Sequence, residues 1–322
     1  MILVLGTAVV AGLALGYVMQ RSRLCFHAAL AQAFSSRPSL LRAWTLGVLL
    51  AAVGYAVLLM LPGSEGLNEG LAFRPVANVA GGALIGVGMV VAQTCITGLF
   101  FKLGAGMVGA LVGLLGWGAG ELVARELQVP GPTVLGGGAD ATLPGLVGLP
   151  PILVAAVLLA GFLVLSRTWA PGRTDEPWSW DWRRAGVGLG LAVTLAWTMA
   201  AVAGESFGAS SVGVVSSVVD GDPDTWHLGL LVALSLGSLV AARTAGGWWL
   251  RGETAWRLVG LFAGGLLLGG GAWVAGGCNL GHGLSGMAQL NVSSIVVVVA
   301  MAAGVWVTRR LWVSVSESGS RR

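Results

Sequence analysis

The chain has 322 residues, of which 56% are hydrophobic and only 10% are charged, and its formal net charge is +4 at pH 7. A soluble domain usually carries about a quarter charged residues, so the composition indicates an integral membrane protein and excludes an ordinary soluble domain. Most basic residues are arginines of loops and of the C-terminal tail, which argues against a nucleic-acid partner.

Nine apolar stretches are long enough to cross about 30 Å of hydrocarbon as helices. The first lacks the basic region that opens a signal peptide, so we interpret it as a span. The predicted spans are 1–20, 43–61, 75–92, 104–125, 145–166, 185–203, 226–242, 258–276 and 292–308. The predicted fold class is therefore an all-α integral membrane protein with about nine transmembrane helices.

The charges of the loops predict how the spans are oriented. The arginine-rich segments are 167–184, 243–257 and 309–322, and the acidic or weakly charged loops are 62–74, 128–144 and 220–225. The positive-inside rule assigns the arginine-rich segments to the cytoplasm. Nine crossings satisfy both groups, with the N-terminus outside and the C-terminus inside.

Four shorter apolar pieces remain between the predicted spans. They are 24–34, 95–101, 205–219 and 279–290. Each is too short to cross the bilayer, and non-helical backbone at membrane depth is tolerated only where protein or a watery cavity surrounds it. We therefore predict four re-entrant half-helices.

The same glycine ladder, G-x3-G-x8-C, precedes all three cysteines of the chain. The copies are 12–25, 82–95 and 265–278, and the last residue of each is a cysteine. Close helix packing explains the glycines, but it does not explain their fixed distance from a thiol. The ladder therefore indicates duplicated segments that bring three thiols toward one place.

The second and third ladders align at an offset of 183 residues, the separation of Cys95 and Cys278. Because the first half begins outside and the second begins inside, the repeats are inverted, an architecture typical of transporters. The predicted units are a first repeat with an extra spanning helix (1–166), a cytoplasmic linker (167–184), a second repeat (185–308) and a cytoplasmic tail (309–322).

The thiols Cys25, Cys95 and Cys278 are candidates for a substrate site, although a cysteine in a membrane core is often only a small hydrophobe. At the start of a half-helix, free backbone N–H groups favour an anion or a thiolate. A thiol can also donate a weak hydrogen bond to a polarizable sulfur atom. Successive thiols therefore suit a small sulfur-bearing anion that must bind and then leave.

Polar residues near the thiols offer hydrogen bonds to the oxygens of such an anion, and helix capping is their alternative role. The candidates are Thr97, Gly98, Ser210, Asn279, Gly281 and His282, with Gln93, Thr94 and Ser211 beside them. Arg21 and Arg23 are candidates for a pore mouth, with lipid-headgroup anchoring as the alternative, and Lys102 has the same two interpretations. Glu121 and Glu205 are candidates for proton coupling if they lie within the membrane.

Other chemistry finds little support in the sequence. His27 and His282 each lie near a cysteine, but no ligand spacing typical of zinc or copper is present, so no metal is predicted. The chain has no G-x4-G-K-[ST] phosphate loop and no nucleophile–base pattern. No catalytic residue and no cofactor are predicted, and the chain is not expected to be an enzyme.

Four segments resemble the YeeE/YedE family of bacterial inner-membrane sulfur transporters, whose characterised members take up thiosulfate. They are GYVMQRSRLCF (16–26), GGALIGVGMVVAQTCITGLFFKLGAG (81–106), ESFGASS (205–211) and GGLLLGGGAWVAGGCNLGHGLSG (264–286). The resemblance implies nine spans with inward-folded half-helices in an hourglass shape. In the bacterial inner membrane, the outer side that the loop charges predict for the N-terminus is the periplasm. It also implies that Cys25, Cys95 and Cys278 hand thiosulfate inward through transient S–H···S contacts, and that a small TusA-like sulfur carrier is a cytoplasmic partner.

The second cysteine departs from the family pattern. The family usually has G-C-P-x-G there, whereas this chain has T-C-I-T-G at 94–98. The departure leaves open another sulfur or selenium species, such as selenite or a persulfide. Alternatives of other classes are a membrane thiol oxidoreductase or sulfurtransferase component, and a structural or metal-binding protein.

Overall fold

The computed structural model describes residues 1–33, 38–64, 66–67, 70–127, 129–169 and 179–319, with side chains as far as residue 312. Over these residues the chain is helical, and β structure is limited to isolated bridges. The coarse prediction of an all-α membrane protein is confirmed. Parts of the predicted linker (170–178) and tail (320–322) lie outside the described residues.

Helices follow one another along the whole described chain. The first half contains α1 (Ile2–Ser22), α2 (Phe26–Gln32), α3 (Ser39–Leu58), α4 (Pro75–Ala92), α5 (Ile96–Gly104), α6 (Ala110–Ala124), α7 (Leu143–Val147) and α8 (Pro151–Ser166). The second half contains α9 (Trp182–Ala203), α10 (Val214–Val219), α11 (Thr225–Thr244), α12 (Ala255–Ala275), a π-helical turn (Gly281–Gly286) and α13 (Val292–Gly319).

Seven helical stretches among the described residues are long and apolar enough to cross a membrane. They are Ile2–Gln32, Ser39–Leu58, Pro75–Gly104, Trp182–Ala203, Thr225–Thr244, Ala255–Ala275 and Val292–Trp312. The predicted spans 104–125 and 145–166 correspond to α6 and α8, which have 15 and 16 residues. A straight crossing needs about 20, so the count of nine crossings stays a prediction.

The long helix before each cysteine ends in the same way. Arg23, Gln93 and Gly276 follow α1, α4 and α12, and their φ angles of 50°, 49° and 75° are left-handed. A left-handed residue closes a helix by bonding its last carbonyl groups. The cysteine comes two residues later in every case, so the ladder ends in a sharp break that exposes the start of the next short element.

A short helical element begins in each of the four leftover segments: α2, α5, α10 and the π-helical turn. Of these, α5 continues three residues beyond the predicted segment 95–101. The first two begin directly after Cys25 and Cys95, which are their N-caps. The predicted short elements are therefore present. That they enter the membrane from one side and return stays a prediction.

The glycines of the ladders allow α4 and α12 to cross at close range. A Cβ atom added at Gly88 would lie 2.9 Å from the carbonyl oxygen of Gly264, and one at Gly271 would lie 2.8 Å from that of Gly81. The offset of 183 residues converts the first contact into the second. The two repeats thus contribute equivalent contacts to this crossing.

The pairing of the other long helices follows the same offset. α1 packs against α11 and α3 against α9, while α4 packs against α13 and α12 against α6. The offset relates α1 to α9, α3 to α11, α4 to α12 and α6 to α13, so each packed pair has a counterpart. The pattern supports the predicted duplication, and the inverted orientation of the two halves stays a prediction.

The close crossing makes Gly271 intolerant of any side chain. We expect Gly271→Ala to destabilise the protein by about 1–3 kcal/mol, because the methyl group must push α4 and α12 apart. The matched control is Gly161→Ala in α8, where an added Cβ meets no atom within 4 Å. Thermal unfolding in detergent measures both variants, and equal melting temperatures would contradict the close crossing.

Candidate functional site

The structure buries all three thiols and brings two of them into contact. Cys25, Cys95 and Cys278 are 6%, 1% and 0% exposed. The sulfur atoms of Cys25 and Cys95 lie 3.8 Å apart, as two unlinked thiols do. This contact joins the breaks that follow α1 and α4, as their common ladder predicts.

The first two thiols meet at the start of α5. The Cys95 sulfur accepts a hydrogen bond from the N–H group of Gly98 at 3.3 Å, and the Cys25 sulfur lies 3.9 Å from the Thr94 hydroxyl oxygen. A Cβ atom at Gly98 would lie 3.3 Å from the Cys95 sulfur and 3.4 Å from the Cys25 sulfur. The same Cβ atom would collide with the Thr94 hydroxyl oxygen, so the absence of a side chain at the predicted site residue Gly98 leaves room for Thr94 beside both thiols.

The Cys278 sulfur lies among hydrogen-bond donors. It accepts from the Ser211 hydroxyl at 3.0 Å and from the N–H groups of Leu280 and Gly281 at 3.3 and 3.4 Å. Because the sulfur already accepts from these groups, its own proton is available to a further acceptor. The surroundings suit an electron-rich sulfur atom at this position.

Asn279 and Thr97 link the Cys278 region to the Cys95 region. The Asn279 amide donates a hydrogen bond of 2.7 Å to the Thr97 hydroxyl oxygen, and both residues are 2% exposed. The amide oxygen of Asn279 is buried and has no hydrogen-bond partner among the described residues. The Thr97 hydroxyl uses its oxygen in this bond, so its proton is available. Two predicted site residues are therefore in direct contact.

A loop of the second half, which we name the serine loop (residues 208–211), covers Cys278. The Ser285 hydroxyl of the π-helical turn holds it through a 2.7 Å bond to the Ala209 carbonyl oxygen. The predicted residue Ser210 faces Gly281, where an added Cβ would lie 3.2 Å from its hydroxyl oxygen. Ser211, the polar residue beside the candidate Ser210, is the residue that contacts the thiol.

His282 is engaged on both sides of its ring. Nδ1 lies 2.9 Å from the Ser294 hydroxyl oxygen and Nε2 lies 3.1 Å from the Ala275 carbonyl oxygen. These contacts tie the end of α12 to α13 and so hold the break before Cys278. A role of His282 as a substrate ligand stays a prediction.

Two cations bond the carbonyl groups at the end of α4, just before Cys95. Lys102 donates to the Gln93 carbonyl oxygen at 3.2 Å, and Arg257 donates to that of Ala92 at 2.6 Å. Cations are favourable at a helix C-terminus, where the dipole is negative. Both side chains thus add positive charge beside the thiols while capping a helix.

The remaining charged candidates are spread along the helix ends. Arg21 and Arg23 lie at the end of α1, shortly before Cys25, and their role at a pore mouth stays a prediction. Glu121 is 1% exposed, and its Oε1 accepts from the Ser216 N–H group at 3.0 Å. Glu121 is therefore buried inside the protein, while Glu205 is half-buried, and a role of either in proton coupling stays a prediction. No group of three potential metal ligands occurs within the described part of the chain.

The fold and the site define a helical integral membrane protein with three buried thiols, two of them in contact. The model of the sulphur transport family matches residues 21–307, and the chain belongs to this family. Two relatives agree with it. The thiosulfate transporter TsuA of Spirochaeta thermophila is 30% identical over 325 aligned positions, which cover 93% of this chain and 96% of that protein. The thiosulfate transporter TsuA of Escherichia coli K12 is 26% identical over 328 positions, covering 93% and 92%.

Proposed function

We propose that this protein imports thiosulfate across the bacterial inner membrane, and that its three thiols relay the substrate. The observation that carries the proposal is the placement of the thiols. The Cys25 and Cys95 sulfur atoms are in contact, and Asn279, the residue after Cys278, donates a hydrogen bond to Thr97, two residues after Cys95. Family membership and the names of the relatives support the substrate. The protein acts as a transporter and not as an enzyme.

The chemistry of thiosulfate fits these groups. The anion has one terminal sulfur and three oxygens, so a thiol can donate to its sulfur while N–H and O–H groups donate to its oxygens. Cys278 has a proton available, and the Thr97 hydroxyl offers a further donor between Cys278 and the pair of thiols Cys25 and Cys95. Weak and repeated contacts of this kind let a substrate bind at each step and still leave.

The architecture we propose has nine crossings and four re-entrant half-helices in two inverted repeats. The matching glycine crossings of α4 and α12 and the paired packing of the long helices support the duplication. The N-terminus is then periplasmic and the C-terminus cytoplasmic, as the arginine-rich loops predict. In this orientation Cys278 and the serine loop belong to the outer half of the path, and Cys25 and Cys95 to the inner half.

Import must overcome the membrane potential. Moving two negative charges inward against 100 mV costs about 4–5 kcal/mol. Uptake therefore needs a coupled ion or a cytoplasmic reaction that removes the substrate. A TusA-like sulfur carrier is the partner we propose for the second route, on the strength of the family resemblance alone.

The proposal is tested in a bacterium that lacks its own thiosulfate transporters and needs thiosulfate as its sulfur source. We expect expression of this chain to restore growth and the uptake of radiolabelled thiosulfate, because the chain supplies the missing path. Excess unlabelled thiosulfate must compete with the label. Stronger competition by selenite would point to a selenium substrate, and thiol oxidation without accumulation would point to the oxidoreductase alternative.

A further inference from the structure

His227 lies near the start of α11, is 9% exposed, and has an oxygen atom facing each of its ring nitrogens. Nδ1 lies 2.7 Å from a carboxylate oxygen of Asp224, and Nε2 lies 3.0 Å from the carbonyl oxygen of Gly208. A carbonyl oxygen and an ionised carboxylate only accept hydrogen bonds. A neutral imidazole has one N–H group, so either tautomer turns a lone pair toward an oxygen. Only the imidazolium donates to both.

Asp224 is an acceptor in this arrangement. Its second oxygen accepts the His227 backbone N–H at 3.0 Å. Burial alone would raise the pKa of Asp224, but the hydrogen bond and the charge of His227 outweigh it and hold that pKa below its usual value. The carboxylate is therefore ionised at neutral pH, and it is satisfied only when Nδ1 of His227 carries a proton.

Few other charges act on His227. Glu205, which follows α9, is the second carboxylate whose charge reaches the ring. The helices packed against α11 are α1 and α5, whose charged side chains are Arg21 and Lys102. These belong near the opposite end of α11, where Ser238 contacts Gln20 and Phe101. Eleven residues of helix, roughly 16 Å, separate that end from His227.

The second acceptor of His227 connects the ring to the thiol site. Gly208 is the first residue of the serine loop, whose last residue, Ser211, donates to the Cys278 sulfur. The loop is thus held by His227 on one side and by the π-helical turn on the other. Loss of the Nε2 proton removes the bond to Gly208 and places a lone pair against its oxygen.

We infer that His227, as an imidazolium, positions the serine loop against Cys278, so that a proton on His227 and an anion at the loop favour each other. His227 is a positioning residue, since it reaches the site only through the loop. The inference deepens the proposed function by making thiosulfate binding proton-linked. Such coupling is reciprocal: the anion also strengthens the binding of the proton.

The first test measures how fast Cys278 reacts with a maleimide in the purified protein, read by peptide mass spectrometry. Wild type and His227→Gln are compared at the same pH, which cancels the pH dependence of the reagent. We expect Cys278 of the variant to react about tenfold faster near pH 6, and the two rates to converge near pH 9, where the wild-type imidazole is neutral as well. Equal rates at every pH would overturn the inference, whether or not the protein transports thiosulfate.

The second test uses uptake into vesicles at several external pH values. Wild-type uptake falls as the pH rises from about 6 to about 9, mainly through a higher KM, and His227→Gln shows a roughly tenfold higher KM and a flat profile. Asp224→Asn, a milder change should His227→Gln fold poorly, moves the wild-type decline to lower pH. Asp222→Asn is the control. Asp222 is exposed and lies two residues before Asp224, and its substitution leaves the profile unchanged. Wild-type profiles in all four proteins would overturn the inference, whereas absent wild-type uptake would instead overturn the proposed function.

Discussion

Cys278→Ala is expected to lower thiosulfate uptake by about a hundredfold at an unchanged amount of folded protein. The variant removes the sulfur that accepts from Ser211, Leu280 and Gly281, and with it the thiol proton that meets the substrate. The three donors then have no acceptor, and the substrate loses its contact with the thiol. A lost contact of about 3 kcal/mol corresponds to the expected hundredfold decrease in uptake. Initial rates of radiolabelled uptake measure the effect.

The related variants separate the sulfur from its surroundings. Cys278→Ser keeps a donor but replaces a polarizable sulfur with a hard oxygen, so we expect partial recovery at most. Ser211→Ala leaves the thiol in place and removes one donor, which lowers uptake by about tenfold. Ser166→Ala is the control, because this buried hydroxyl bonds only within α8 in the described contacts. If Cys278→Ala retained full uptake, Cys278 would serve only in packing, and the relay would be contradicted.

The relay further predicts that the two inner thiols share one step. The Cys25 and Cys95 sulfur atoms are in contact, so Cys25→Ala and Cys95→Ala should each be severe and their combination little worse than the more severe single variant. Residues that act as a unit are not additive in this way. Uptake rates of the two single variants and the double variant test this. Independent effects that multiply would contradict a shared step.

Where the helices break could be predicted from the sequence because the signal is local. Each ladder places small residues on one helix face and ends at a fixed distance before a cysteine, and the structure closes each helix two residues before the thiol. The contact of Cys25 with Cys95 follows from the same repetition. These features depend on the close packing of helix backbones, and the spacing of the glycines indicates where that packing occurs.

The lengths of α6 and α8 could not be predicted because hydropathy does not mark where a helix begins. The predicted span 104–125 starts at the last residue of α5, and Gly106, with φ of 96°, turns the chain before α6 begins at Ala110. The predicted span 145–166 begins inside α7, which ends at Val147, and α8 starts only at Pro151. Turns made of apolar residues have the same hydropathy as a membrane helix, so hydropathy alone does not separate the two.

The partners of the site residues depended on distant contacts that no local pattern contains. Ser210 and Ser211 are adjacent and chemically alike, and only the packing of the serine loop on the π-helical turn selects Ser211 as the neighbour of Cys278. His227 gave no signal either, because its partners are a backbone carbonyl and an ordinary helix N-cap. The repeat offset of 183 residues, which relates Cys25 to Gly208, and the family resemblance of segment 205–211 both indicate that this loop belongs to the site.

Asn279→Asp is expected to block thiosulfate uptake at neutral pH, by about a hundredfold or more. The substitution keeps the size of the side chain, and the Thr97 hydroxyl can turn to donate to the new carboxylate, so the local structure is preserved. It places a negative charge where the dianion passes between the thiols. Like charges in a buried site repel by several kcal/mol, which is enough to exclude the substrate.

A comparison of the added charge with the loss of the hydrogen bond alone distinguishes an anion path from a purely structural contact. Thr97→Val breaks the same hydrogen bond without adding charge, and we expect it to lower uptake by only about tenfold. Acidic medium should partly restore Asn279→Asp, since the protonated carboxyl group is neutral, but should not restore Thr97→Val. Uptake rates of both variants at neutral and acidic pH, normalised to folded protein, decide the matter. If the two variants lose uptake equally and respond alike to pH, Asn279 serves packing, and the dianion does not pass between Cys278 and Cys95.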